Sequence, residues 1–207
     1  MSFNRQPYCD ALKATLEQNV FFHSLALEAC MGEIYDYLQA NGGLPQAGAS
    51  GTGGAKNEPS REEWVLAGLV HDADFYGDYK DVHPNKTKEA LASKGLEIPD
   101  SVHAIVKAHA PQRTGVHPNS KAQWALFCAD TLTGLITACT LVIPSKKIAD
   151  VKLSSVLKKF KDKSFAAGTR REEVAMCANP EGLNLPLEKF VEVCLGAMKK
   201  VAPEIGL

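Results

Sequence analysis

The 207-residue chain has no excess of either charge: 23 lysines and arginines stand against 24 aspartates and glutamates, a formal net charge of -1. A near-neutral chain carries no bulk electrostatic footprint for nucleic acid or an anionic membrane, both of which favour a basic protein. It also lacks any Cys-x-x-Cys pair. The six cysteines, at 9, 30, 128, 139, 177 and 194, are scattered, which argues against a zinc ribbon or a thioredoxin-type motif and leaves them as reduced core residues. The N-terminal residues MSFNRQPYCDALKATL contain no apolar run with a small-residue cleavage site, so neither a signal peptide nor a transit sequence is expected, and the expected location is cytoplasmic. No alternating Val/Ile/Thr-rich segment with a hairpin turn stands out, and no internal repeat is apparent.

What the chain does have is apolar residues at helical spacing almost throughout, so the expected class is all-α. Helices are expected near residues 8–18, 22–40, 60–72, 84–94, 99–109, 120–142, 151–160, 170–178 and 186–202. Residues 41–59, rich in Gly, Ala and Ser, suit a flexible surface loop. Ser60 with Glu63 then has the form of a capping box. Residues 125–143 form a long apolar stretch whose one charge is Asp130, and four threonines, a glycine and that aspartate make a buried helix the better reading than a membrane span. Residues 145–171 hold 9 Lys+Arg against 2 Asp+Glu, while the rest of the chain holds 14 against 22. The neutral total therefore conceals a basic segment beside an acidic body.

Chemistry is concentrated in a few residues. His71 and Asp72 close an apolar helix and present an imidazole and a carboxylate to one point beyond its end. His23 lies on the stripe His23, Leu27, Met31, Ile34, Leu38, which faces a core. Asp130 needs a metal, a cation or several hydrogen bonds to be tolerated in its apolar helix. His103 is six residues before His109, about 240° around a helix, so the two cannot share a site. His117 sits in a loop without periodic support, and Asp74 can orient a ligand histidine from behind.

In order and context (FFHSLALEA, AGLVHDADFY, FCADTLTGLI), His23, His71, Asp72 and Asp130 resemble the metal-binding signature of the HD-domain superfamily of metal-dependent phosphohydrolases. The resemblance covers residues 20–143, and the remainder is similar to a group of prokaryotic HD-domain proteins without an assigned substrate. It implies an HD-type helical bundle over residues 1–144, with a basic segment and C-terminal helices, 145–207, packing on it. It also implies one or two divalent ions drawn from Mn, Fe, Zn, Co and Ni, held by His23, His71, Asp72 and Asp130. Such an ion generates hydroxide near neutral pH for attack on a phosphorylated small molecule, with a nucleotide monoester as one option. His83 and His109 match in order the extra histidines of binuclear relatives. In mononuclear ones such residues contact phosphate or protonate the leaving group.

Lys86, three residues after His83, is expected to meet phosphate from the same helix face. Of the basic cluster Lys146, Lys147, Lys152, Lys158, Lys159, Lys161, Lys163, Arg170 and Arg171, most members are expected to be solvated. The catalytic set is thus Asp72, His83, His109 and Lys86. His71-Asp72-Ala73-Asp74 stands where many relatives read HDIG, and there is no GYP motif, which counts against cyclic-dinucleotide hydrolysis. Two other readings compete: a di-iron oxygenase using His83 and His109 for the second iron, and a non-catalytic module that keeps a structural metal and docks its basic segment on an anionic partner.

Overall fold

A computed structural model describes residues 3–44 and 58–207. The Gly-rich stretch expected to be a loop lies mostly outside the described residues. Among those described there is no strand, and the fold is all-α. The helices are α1 (Arg5–Thr15), α2 (Gln18–Ala40), α3 (Arg61–Val70), α4 (Thr87–Ala92), α5 (Asp100–Lys107), α6 (Pro111–Thr114), α7 (Lys121–Val142), α8 (Leu153–Lys161), α9 (Arg171–Ala175) and α10 (Leu187–Lys200), with 3₁₀ turns at Gly77–Val82, Ile148–Asp150 and Met176–Ala178.

The helix starts follow local chemistry. Asn4 caps α1 through its side chain, which accepts from the Gln6 N–H. The Ser60–Glu63 capping box of α3 is fully formed, with the Glu63 N–H donating to Ser60 Oγ at 3.3 Å and the Ser60 N–H to Glu63 Oε2 at 2.7 Å. Helix α7 is capped twice. Ser120 Oγ accepts from the Gln123 N–H, and the Glu58 carboxylate accepts from the N–H groups of Lys121 and Ala122 at 3.1 and 2.7 Å. A negative charge on the free donors of a helix start suits the dipole as well as the hydrogen bonds. Pro111 ends the run that includes α5 and opens α6 at a position where its missing N–H costs nothing. Gly115, at φ 68°, closes that turn in the left-handed region.

Helix α7 is long and apolar enough to cross a membrane by length and composition. Here it is the spine of the bundle, packed by α2, α5, α8, α9 and α10. One apolar cluster runs through Leu27, Met31 and Ile34 of α2, Trp64 and Leu69 of α3, Leu132 and Leu135 of α7, and Phe190, Cys194 and Met198 of α10. The C-terminal helix therefore shares its core with the helices that carry the site.

The contact that matters most for the site is between α2 and α3. A Cβ placed on Gly68 would lie 2.8 Å from the Leu27 carbonyl oxygen and 2.9 Å from the Glu28 Cα and N. No side chain fits there, so the two backbones cross at glycine. That crossing sets the spacing between His23 on α2 and His71 just past the end of α3.

Candidate metal centre

His71 and Asp72 follow the last residue of α3, in the turn 71–74, and this lets both side chains fold toward one point: His71 Nε2 and Asp72 Oδ2 are 3.2 Å apart. His23 joins them from α2, its Nε2 at 3.1 Å from His71 Nε2 and 3.9 Å from Asp72 Oδ2. Asp130 reaches in from α7, with Oδ1 at 3.0 Å from His23 Nε2 and 4.0 Å from His71 Nε2. On the other side of Asp72, Oδ1 is 3.2 Å from His83 Nε2, and His83 Nε2 is 3.3 Å from His109 Nε2. The structure thus brings together six of the seven residues expected at a site, all but Lys86.

Hydrogen bonds on the outer nitrogens fix what the inner ones offer. His71 Nδ1 donates to the Gly68 carbonyl at 2.9 Å, and His109 Nδ1 to the Val106 carbonyl at 2.5 Å, since a carbonyl can only accept. His83 Nδ1 donates to the buried Asp74 carboxylate at 2.6 Å. His23 Nδ1 donates to Thr133 Oγ at 2.9 Å, because the one proton of that hydroxyl goes to the Asp130 carbonyl at 2.8 Å. In these neutral tautomers four Nε2 lone pairs point inward and meet in two pairs. Lone pairs 3.1 and 3.3 Å apart repel unless a cation stands between or beside them, and hydrogen bonding of the second ring nitrogen is how proteins orient histidine for metal.

The ligand atoms of His23, His71 and Asp72 all lie within 4.8 Å of one another, and so do those of Asp72, His83 and His109. Asp72 belongs to both sets, one oxygen to each. These buried His/Asp groups fit a metal ion by donor type, by burial and by tautomer.

The charges agree. Burial works against the ionised form of Asp72, yet the charge of His71 and a hydrogen bond from it hold this carboxyl below the usual range. Asp130 is likewise opposed by burial and held low by the imidazole of His23 beside it and by the charges of the neighbouring histidines. Burial opposes the charged form of His71, but Asp72 overrides this and raises His71 to about 9. Burial pushes His109 down to about 4, keeping it neutral and available as a ligand.

Above the cluster lies a cavity of about 340 Å³, with Asp72, His83, His109 and Asp130 toward its buried side and Arg113 and Arg170 toward solvent. Arg170 Nη2 bonds Asp130 Oδ2 at 2.8 Å and its Nε bonds Glu173 at 2.5 Å. The charge of Asp130 is therefore met on one oxygen by Arg170 and left facing the cluster on the other.

Lys86 is not at the site. It is the N-cap of α4, so it shares no helix with His83; its ammonium pairs with Glu89 at 2.8 Å, and only its backbone N–H, donated to Asp74 Oδ2 at 2.9 Å, serves the cluster. Asp74 accepts from His83 Nδ1, with Thr87 Oγ, which donates to the Pro84 carbonyl at 3.0 Å, lying 3.3 Å from the same carboxylate oxygen. His103 lies on α5 away from the cluster and His117 is exposed. Gly68, Thr133, Arg113 and the role of Arg170 escaped sequence reasoning. Arg170 stood in the basic segment, but no spacing rule ties it, or Arg113, to the histidines.

Taken together, the fold and site define an all-α protein with a buried His/Asp cluster able to hold metal. No family model, no curated protein and no solved structure matches the chain.

Proposed function

We propose that the protein is a metal-dependent phosphohydrolase of the HD-domain type, acting on a phosphorylated small molecule such as a nucleotide. The observation that carries this reading is the Asp72 carboxylate, which offers one oxygen to His71 at 3.2 Å and the other to His83 at 3.2 Å and so joins two sets of inward-facing imidazoles. The donor set favours Mn, Fe, Zn, Co or Ni, two per chain, over calcium. Such ions, when bound, lower the pKa of water and stabilise charge on phosphoryl oxygens.

The chain's own residues do the rest. Gly68, Val106, Asp74 and Thr133 hold the four histidines in the ligating tautomer. His83 and His109 have committed their N–H to Asp74 and Val106, which suits ligands better than proton donors to a leaving group. Asp130 supplies one oxygen to the cluster and uses the other to fix Arg170.

An oxygen-activating di-iron centre would use the same six residues. The cationic mouth of the cavity favours an anionic substrate and hydrolysis. The test is metal analysis with turnover over a panel of phosphoesters, run with and without oxygen. Phosphate release independent of oxygen, lost with the metal in His71→Ala and Asp72→Ala, is the expected result. Metal and activity that survive both substitutions overturn the proposal.

A further inference from the structure

Two guanidinium groups frame the cavity, and each is hung on a residue of the cluster. Arg113 Nη1 donates to the carbonyls of His83 at 3.2 Å and Asp81 at 3.5 Å, and the exposed Arg113 side chain makes no ion pair among the described residues. Arg170 is tied to Asp130 and Glu173 through Nη2 and Nε, which leaves Nη1 free of any partner among the described residues.

The segment that presents Arg170 is itself locked. Arg171, next in sequence, is buried at 8% exposure and turns away from solvent. Its guanidinium donates to the carbonyls of Phe160 at 2.8 Å, Asp162 at 2.9 Å and Phe165 at 2.5 Å, and so organises the loop between α8 and α9 around a single side chain. The Arg170 N–H then donates to Thr131 Oγ at 2.9 Å, pinning that loop to α7 one residue beyond Asp130. A loop fixed from inside by one arginine and to the site by the next is a preorganised binding element, in which little side-chain entropy is left to lose on binding.

The charge balance says what this element binds. Among the ligand residues only Asp72 and Asp130 are anionic, because histidines ligate in the neutral form. Two divalent ions on that set leave the floor net positive, and Arg113 adds a further unpaired cation at the mouth. An arginine fork matches the oxygens of phosphate in geometry as well as charge. Resting on the metal-centre reading above, we infer that Arg113 and Arg170 form a two-sided clamp selecting a dianionic phosphate monoester over a phosphodiester, with Arg170 supplied by the C-terminal segment.

The test is calorimetric titration of the manganese-loaded full chain at pH 8 with inorganic phosphate and, separately, with dimethyl phosphate, alongside metal analysis of each sample. Phosphate is expected to bind the wild type at least tenfold more tightly than dimethyl phosphate. Arg113→Met and Arg170→Gln are each expected to weaken phosphate at least tenfold with manganese content and helical circular dichroism unchanged, and Arg170→Lys to recover part of the loss. Variants that keep manganese and bind phosphate within twofold of wild type overturn the clamp and leave the hydrolase reading intact. Equal affinity for the two anions overturns the monoester preference. If Arg170→Gln loses manganese along with phosphate, Arg170 serves only to neutralise Asp130 and its place in the clamp is overturned. A wild type that takes up no manganese, zinc or iron overturns the metal centre itself.

Discussion

His71 Nε2 stands 3.1 Å from His23 Nε2 although both rings give their only N–H in the neutral form to other partners, Gly68 and Thr133. Two lone pairs at that distance require positive charge, and the backbone crossing at Gly68 is what holds them there.

Gly68→Ala is therefore expected to act on stability and site together. The added methyl meets the backbone of Leu27 and Glu28 under 3 Å, and forcing α2 and α3 apart is expected to cost about 1–3 kcal/mol, as overpacking of a tight core does. Urea unfolding of the metal-free protein measures the cost, and metal affinity is expected to fall in the same variant. A change below about 0.5 kcal/mol, within the range of ordinary surface substitutions, would refute the crossing as a constraint.

The basic segment is expected to be energetically uneven. Arg171→Met removes a buried cation and leaves several carbonyls without their donor, so a loss of roughly 2–4 kcal/mol is expected from hydrogen bonds to a charged group. Lys161→Met, at an exposed position, is expected to change stability by less than about 0.5 kcal/mol. Equal effects in thermal or urea unfolding would contradict the assignment of Arg171 as the anchor of its loop.

Much of this was open to inspection in the sequence. Long periodic runs such as α2, α7 and α10 declare themselves because each buries a continuous face, and Asp130 stood out because an isolated charge in an apolar helix needs a partner. The Ser60–Glu63 box was readable because both members act within one turn. Short elements were not: the turn Gly77–Val82 and helix α6 have too few apolar residues to show a period. Lys86 misled for a related reason. Its spacing from His83 implies a shared face only if both lie on one helix, and α4 begins after Lys86. Arg113 and Arg170 reach the cavity through tertiary packing, for which spacing along the chain carries no signal. Within residues 145–207, expected to pack on the core, α10 contributes Phe190, Cys194 and Met198 to the central apolar cluster.

The thiols give a pH dependence with a definite sign. All six cysteines are buried and unpaired. Burial pushes the Cys177 thiol up to about 12 and raises those of Cys128 and Cys194 as well. An acid whose folded pKa exceeds its unfolded one favours the folded state below the unfolded value, near 9, and loses that contribution as pH rises toward the folded value. Unfolding free energy is thus expected to decline from about pH 9 upward. At pH 8 a disulfide reagent is expected to react with the native protein far more slowly than with the denatured chain, where all six thiols titrate. A fast native phase equivalent to one or more thiols would contradict the burial.

Metal stoichiometry bears most directly on the central claim, that Asp72 joins two ion positions. Purified chain, reconstituted with manganese or zinc and freed of excess, is expected to hold two ions. His109→Ala is expected to keep one, at His23, His71, Asp72 and Asp130, while Asp72→Ala is expected to lose occupancy at both positions. Elemental analysis against protein concentration decides it. A wild type with no bound ion, or an Asp72→Ala variant that still binds two, would contradict the proposed centre.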